Sequence, residues 1–392
     1  MKHSLSVTVG ISGAEINGQD NCAIQAGVDY LAKLGGGTLR ILPGRYQLNN
    51  AIYLRNNICI QGSGDKTILT KNPSVQTTLV TDSDWYEDNI TLTNGKGFEV
   101  GYGVCLKAKE PNHGGFNVIK RTLVAKRENR FWLDEPLNKN FWADHQAQIA
   151  TLFPLLTGEH ICNLEIRDLV LDGNRFQNQH LDGNYAGCIF LQNCEGIHIE
   201  NIETRNYNGD GISWQICHDV TVTNCLSVNN ADLGLHPGSG SLRPIICQNR
   251  LEGNGIGLFF CWGVKHGIAE KNWISNNRQF GVSIGHRDTN NIIRQNRIEE
   301  SGQVGIIFRD EPNEGRCPHY NLLEDNQIIN SGEIGIDIQG ETRSITLRRN
   351  QIIETRKTAS HIGLQIGQKV TELTLEKNNF SGLKIETNDL RA

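Results

Sequence analysis

The chain has 392 residues, of which 38% are hydrophobic and 21% charged, and its formal net charge is -5. This composition is typical of a globular protein, and the slightly acidic balance excludes the basic surface that characterises nucleic-acid-binding proteins. No apolar run approaches the roughly 18 residues of a membrane span, so we expect no membrane partner. The first seven residues lack the apolar core of a secretory signal. We therefore expect a cytoplasmic protein, or a secreted one if a leader has been removed.

Eleven cysteines are scattered along the chain, and none forms a Cys-x-x-Cys pair. The missing pairs argue against a zinc site, and the odd, unclustered set argues against a disulfide framework. Most of them fall inside apolar runs, where a thiol behaves as a small buried hydrophobe. We expect reduced, structural cysteines and no bound metal.

The first predicted element is a helix that starts near Asp20 or Asn21. Ile24, Val28 and Leu31 follow at the i, i+4, i+7 spacing of a helical face, and the three glycines at 35–37 end it. A strand is predicted over 38–42, and a Pro-Gly pair stops it.

The G-G-T sequence at 36–38 and the P-G-R-Y sequence at 43–46 resemble the N-terminal region of the pectate-lyase superfamily. In that family a short amphipathic helix caps the first coil of a β-helix. The resemblance implies the same arrangement here, because an uncapped solenoid exposes apolar core and strand edges.

Residues 81–158 interrupt the pattern with many charged residues and several tryptophans, which predicts an inserted β-rich subdomain or large loops. The predicted division of the chain is a cap with the first coils over 1–80, the insertion over 81–158, and a main repeat region over 159–392.

The main region repeats at intervals of 23 to 30 residues. A glycine opens each apolar run, at Gly187, Gly211, Gly234, Gly257, Gly281, Gly305, Gly335 and Gly363. A second marker with the same period is an asparagine, at Asn201, Asn224, Asn249, Asn272, Asn296, Asn326 and Asn350. Units of about 24 residues with short strands and no helices predict an all-β fold, a right-handed single-stranded parallel β-helix. We expect the asparagines to form a structural ladder at a turn.

Equivalent positions of successive coils stack about 4.8 Å apart, so they form rows on the surface. Counting from each glycine, the second and fourth positions should point outward. One side of the coils near 205–312 then collects acids, histidines and other polar groups. The predicted substrate-binding residues on this side are Gln215, Trp262, Lys265, His266, His286, Arg287, Asp310 and Glu311.

Asp210 and Asp232 lie one coil apart at the upstream edge of this side. Hydrolysis of a glycosidic bond needs two carboxyl groups, one as acid and one as base or nucleophile. The N-G-D-G sequence at 208–211 followed by Asp232 resembles the motif of polygalacturonases, and the resemblance implies that Asp232 donates the proton while Asp210 helps to activate water. Leu233 stands where that family has a further acid, and its later His, Arg and Lys are missing. We expect His236 and Arg309 to orient the substrate instead.

A second chemistry is the removal of a proton beside a uronate carboxylate, by a lyase or a C5-epimerase with a His, Lys or Arg base. The L-D-G-N sequence at 171–174 and the coil spacing resemble mannuronan C5-epimerases. Asp210 and Gln215 stand where that family carries its Tyr and His, so its mechanism does not transfer directly. Bound Ca²⁺ is expected only for a lyase.

A third hypothesis is a solenoid that binds carbohydrate without catalysis. We expect an enzyme, either a glycoside hydrolase or a polysaccharide lyase, with a poly- or oligosaccharide partner and no cofactor. The sequence does not specify the sugar, the linkage or the oligomeric state.

Overall fold

The computed structural model describes residues 5–110, 114–356 and 361–391. Residues 1–4, which contribute to the expected localisation, lie outside this range. The described residues form one α-helix, Asn21–Lys33, and 39 strands in three sheets. They also form four 3-10 helices, Gly64–Lys66, Ala143–His145, Arg175–Gln177 and Glu314–Arg316.

The long sheet has 22 strands in two parallel ladders, which the long strands Cys162–Asp172 and Glu195–Arg205 join. Its other strands are Ser6–Gly10, Ile16–Asn17, Gly37–Ile41, Gly44–Leu48, Ile58–Gln61, Thr67–Lys71, His218–Thr223, Leu226–Val228, Ile245–Cys247, Arg250–Glu252, Ile268–Glu270, Trp273–Ser275, Ile292–Arg294, Arg297–Glu299, Leu322–Glu324, Gln327–Ile329, Arg343–Arg348, Gln351–Ile353, Thr371–Glu376 and Asn379–Ser381.

The front sheet has eleven parallel strands, one from each coil. They are Ile52–Tyr53, Leu156–Glu159, Gly187–Gln192, Asp210–Gln215, Leu233–Gly238, Ile256–Phe259, Phe280–Ile284, Val304–Phe308, Ile334–Ile338, Ile362–Ile366 and Ile385–Asp389. Each strand pairs with the strand one coil away, which confirms the parallel β-helix that the repeat predicts.

The core is a stack of apolar side chains between the two sheets. On the front sheet, Ile212 aligns with Leu235, and Val282 aligns with Ile306, and all four are fully buried. Eight of the eleven cysteines are also buried, and all eleven are unpaired thiols. Most of these thiols therefore pack as small apolar groups, as expected from the sequence.

The helix covers the N-terminal end of this core. Asp20 caps it by accepting hydrogen bonds from the backbone N–H groups of Cys22 and Ala23, at 3.0 and 3.2 Å. Ile24, Val28 and Leu31 are fully buried, so the predicted apolar face is the face that packs.

The outer sheet is antiparallel and has its own apolar cluster on one face. Its strands are Gln76–Thr78, Asn89–Thr91, Gly103–Lys109, Phe116–Arg127, Arg130–Leu133 and Gln148–Ala150. On the other face Cys105, Val118 and Ala150 join the main core, so this sheet packs against the β-helix. The division at 81–158 stays a prediction.

The asparagine ladder starts later than predicted. Asn272 Oδ1 accepts hydrogen bonds from the backbone N–H and Nδ2 of Asn249, at 2.9 and 3.0 Å, and the same pattern continues to Asn378. Asn201 and Asn224 were wrongly assigned to it, because they have φ of 52° and 54° at a left-handed position. In the coil that contains Asn224, the next residue, Cys225, takes the ladder position, and its backbone N–H donates to Asn249 Oδ1 at 2.9 Å.

Candidate functional site

The outward side chains of the front sheet form one continuous face, which we call the front face. The strand register places one residue from every coil in its central row. The row runs through Tyr53, Thr157, Phe190, Ser213, His236, Phe259, Ser283, Ile307, Asp337, Gln365 and Asn388. Many of these outward residues are buried, contrary to a simple solvated face, because a loop and neighbouring side chains cover them.

Asp210 and His236 form a buried pair on adjacent strands of this face. Nδ1 of His236 lies 2.7 Å from Oδ2 of Asp210, and the backbone N–H of Leu233 donates to Oδ1 at 3.1 Å. Burial raises the pKa of Asp210, and the hydrogen bond from His236 opposes this shift. For His236, burial lowers the pKa, but Asp210 and the Cys261 thiol outweigh it and raise the pKa to about 9.

Ser213, His236 and Asp210 do not form a nucleophilic triad. The Ser213 hydroxyl is 3.3 Å from Nδ1 of His236, the same nitrogen that Asp210 contacts. A triad needs the hydroxyl and the carboxylate on opposite ring nitrogens. Nε2 of His236 is buried and has no hydrogen bond of ordinary geometry among the described residues, although Cys261 is close enough to affect the ring's pKa.

Asp232 is the accessible member of the predicted acid pair. Its side chain is 35% exposed, against 1% for Asp210. Oδ2 of Asp232 lies 2.6 Å from Nε2 of His180, and this hydrogen bond raises the pKa of the histidine. The negative charge of Asp232 also contributes to the raised pKa of Asp210, so the two carboxyl groups interact as the coil register predicts.

Residues 178–186, which we call the cover loop, lie over the buried pair. A Cβ added to Gly183 would collide with the Asp210 carboxylate, so only glycine allows this approach. The carbonyl of Gly183 accepts a hydrogen bond of 2.7 Å from the Ser213 hydroxyl. The loop thus shields Asp210 from water.

A second cluster surrounds Arg309, three coils further along. Its guanidinium lies over Gly285, where a Cβ would collide with it, and Nη1 donates to the Ser283 hydroxyl at 2.7 Å. The guanidinium carbon is 4.4 Å from the centroid of the Phe259 ring. Because His236 packs edge-on against the same ring at 5.4 Å, Phe259 connects the two clusters.

Trp262, His286 and Glu311 border the Arg309 cluster. The rings of Trp262 and His286 stack at 4.9 Å, and Trp262 is 62% exposed. Glu311 accepts a 2.7 Å hydrogen bond from the His286 backbone and lies 3.6 Å from Arg309. The structure therefore presents an exposed aromatic surface beside a fixed cation.

Asp288 anchors the turn beneath this cluster. Its carboxylate accepts hydrogen bonds from the backbone N–H groups of Gly263, Val264 and Gly285, at 2.8 to 2.9 Å. Burial raises its pKa to about 7, and the charge of Arg309 opposes the shift. It is a positioning residue for the turn that carries Trp262.

The other predicted residues are less tightly grouped. Gln215 is buried on the front face, and its Oε1 has no hydrogen-bond partner among the described residues. Lys265 forms an isolated bridge with Thr289, beyond the turn that leaves the front sheet. His266, Arg287 and Asp310 are exposed on turns. Their role in substrate binding stays a prediction.

Sequence reasoning missed His180, Gly183 and Phe259 as site residues. Phe259 lay in the outward row, so its position was available from the repeat. His180 and Gly183 lie in the cover loop outside the repeat, and no coil register predicts where such a loop folds.

Metal-binding clusters and helices able to span a membrane are both absent from residues 5–110, 114–356 and 361–391. No group of three or more His, Cys, Asp or Glu side chains is arranged to hold a metal ion. None of the helices in that part of the chain has the length and apolar character of a membrane span.

A family model described as a right-handed beta helix region matches residues 169–317. No curated protein matches the chain in sequence. The A-module of a mannuronan C-5 epimerase from Azotobacter vinelandii has a similar structure, with a TM-score of 0.61 and 13% identity, covering 98% of this chain and 100% of the module.

Two further solved structures are similar. An exopolygalacturonase from Thermotoga maritima has a TM-score of 0.55 and 14% identity, covering 97% of this chain and 94% of its own. A surface adhesin of Streptococcus pneumoniae has a TM-score of 0.59 and 13% identity, covering 97% and 94%. At such identities the likeness concerns the fold alone. The chain therefore has the right-handed parallel β-helix fold that its repeat predicts.

Proposed function

We propose that the protein is a carbohydrate-active enzyme that binds an extended glycan along the front face and hydrolyses a glycosidic bond beside Asp232. The observation that carries the proposal is the pairing of an accessible carboxyl group, Asp232, with a buried one, Asp210, halfway along a continuous polar and aromatic face. Two interacting carboxyl groups are what glycoside hydrolysis requires. The similar fold of an exopolygalacturonase supports the same reaction class.

In this proposal Asp232 is the general acid. Its Oδ2 accepts a hydrogen bond from His180 Nε2, so a protonated His180 can supply the proton that Asp232 passes to the leaving oxygen. Asp210 acts as the base. Because Gly183 covers it and both its oxygens are engaged, the cover loop must withdraw before water reaches the carboxylate. His236, protonated at neutral pH, compensates its charge.

Substrate binding is assigned to the second cluster. Trp262, supported by the buried ring of His286 stacked against it, offers its free face to the apolar face of a sugar, and Arg309 and Glu311 bond to its oxygens. Gln215, Lys265, His266, Arg287 and Asp310 are proposed as flanking contacts. Elimination or epimerisation is the weaker alternative, because a histidine whose pKa is about 9 is a proton donor at neutral pH rather than a base.

One observation favours a non-catalytic alternative. Asp210 is buried beneath Gly183, so in this conformation the front face binds without offering a second reactive carboxyl group. A carbohydrate-binding solenoid would have such a face, and one protein of similar fold is a surface adhesin.

Replacing Asp232 with Asn tests the proposal. Loss of the general acid is expected to lower turnover about 10²- to 10⁴-fold without changing the melting temperature. The assay uses polygalacturonate, mannuronan and neutral glucans, and it measures new reducing ends and ultraviolet absorbance. A hydrolase creates reducing ends alone, a lyase adds an absorbing unsaturated sugar, and an epimerase or a binding protein produces neither.

Asp219→Asn is the matched control, because Asp219 is an exposed acid paired with Arg243 on the long sheet. It should retain full activity. Full turnover in Asp232→Asn would contradict the assignment of the acid.

A further inference from the structure

A cavity of about 390 Å³ lies between the outer sheet and the cover loop. Lys107, Phe116 and Gln148 line it from the face of the outer sheet that is turned toward the β-helix, and His180 and Tyr185 line it from the loop. Its volume is within the range of about 300–1,000 Å³ of small-molecule sites. The cavity is not part of the front face.

The cover loop connects this cavity to the acid pair. His180 lines the cavity and its Nε2 contacts Asp232, while Asp182 lines the cavity beside Gly183, which covers Asp210. One side of the loop therefore faces the cavity and the other side faces both carboxyl groups. A ligand that occupies both the surface beside Asp232 and the cavity would pass His180.

The lining has the chemistry of a sugar site. It combines side-chain amides, which donate and accept hydrogen bonds, with the rings of Phe116 and Tyr185. The amides are Gln76, Gln148, Gln179 and Asn184. Such amide groups suit the hydroxyls of a pyranose, and the aromatic rings suit its C–H surface.

Lys107 provides a cation at the cavity wall. Its Nζ lies 4.1 Å from the centroid of the Phe116 ring, and it forms no ion pair within the described ranges. An ammonium in this position bonds to a ligand oxygen, either a hydroxyl or a carboxylate.

We propose that this cavity is a subsite for one sugar unit of the glycan that reaches Asp232, with Lys107 and Gln148 bonding to its oxygens. The inference rests on the proposed function and adds a second binding surface, contributed by the outer sheet. It explains why the loop that covers the acid pair also forms a wall of a polar cavity.

The test measures binding by calorimetry in an Asp232→Asn background, where the expected loss of turnover keeps the substrate intact during the measurement. The probes are the hexasaccharides of galacturonate, mannuronate and cellulose. We expect Lys107→Ala and Gln148→Ala each to weaken the best probe at least about tenfold. If Lys107→Ala loses affinity for the uronate probes alone, Lys107 binds a carboxylate. If the same variant also loses affinity for cellohexaose, Lys107 binds a hydroxyl.

Lys109→Ala is the control, because Lys109 is on the same strand but does not line the cavity. It should bind like the parent, and all variants should keep the parent melting temperature. Unchanged affinity in Lys107→Ala and Gln148→Ala, or binding of none of the three probes, overturns the subsite. Lys107-dependent binding in a protein whose turnover does not need Asp232 would contradict the proposed reaction and leave the subsite standing.

Discussion

His236 combines full burial with a raised proton affinity. Burial disfavours the charged imidazolium, but the carboxylate of Asp210 at 2.7 Å, together with Cys261, outweighs that effect and the pKa rises to about 9. The coil register predicted that Asp210, Asp232 and His236 would be neighbours, and the structure places them so. The coil register did not predict that Asp210 would be buried and Asp232 accessible, because Gly183 approaches Asp210 from a loop whose path depends on tertiary packing.

Replacing His236 with Ala should lower the free energy of unfolding by about 3–5 kcal/mol at neutral pH, because Asp210 remains as a buried carboxylate without its partner. The folded pKa of His236 lies above its ordinary value, so the stabilisation is fully present below about pH 6.5 and is lost as the pH rises through about 9. Urea titrations at both ends of this window measure the difference between variant and parent.

His198→Ala, at a half-exposed position on the long sheet, serves as the comparison and should change stability by less than about 0.5 kcal/mol. A gap between His236→Ala and the parent that does not shrink at alkaline pH would contradict the charged pair.

At the scale of elements, the asparagine ladder fixes the turns of successive coils. Within the ladder, each interior amide accepts two hydrogen bonds from the preceding ladder residue and donates to the next ladder amide and to a backbone carbonyl, as at Asn296. The sequence predicted the period but placed the first two members one position early. An identical residue type at the neighbouring left-handed position caused this error, and only backbone geometry distinguishes the two positions.

Asn296→Ala should therefore cost at least about 2 kcal/mol, since it leaves several buried hydrogen-bonding groups unpaired. Denaturant unfolding measures the loss. The same substitution at Asn379, which is exposed at the start of a strand, should be nearly neutral. Equal effects at both positions would show that the ladder contributes no more than an ordinary surface amide.

At the scale of the whole molecule, the two ends of the solenoid differ. The helix covers the N-terminal end, whereas the last coil has exposed apolar side chains at Leu375, Ile385 and Leu390. Its strands pair on one side only within the described residues. The helical spacing predicted the helix, and the resemblance of the N-terminal region to the pectate-lyase superfamily implied that it covers the first coil. The repeat pattern does not distinguish a covered coil from an uncovered one, so the exposure of these apolar side chains was not predicted.

Hydrogen exchange should consequently begin at the C-terminal coil. Amides of Thr371–Glu376 are expected to lose protection first, because local opening there exposes little additional core. Amides of Gly37–Ile41, packed beneath the helix, should be protected nearly as well as the central coils. Mass spectrometry of peptides measures the exchange. Uniform protection along the whole chain would contradict this order.

The unpaired thiols carry a consequence for handling and for survival in oxidising surroundings. Of the eleven, Cys22 alone is exposed, and eight are enclosed by packed coils. While the coils stay packed, few sulfur atoms are accessible to oxidants in the solvent. Once neighbouring coils separate, unpaired thiols come into contact with one another. A disulfide that forms between them then holds the coils out of register. Oxidation thus converts a brief opening into permanent damage.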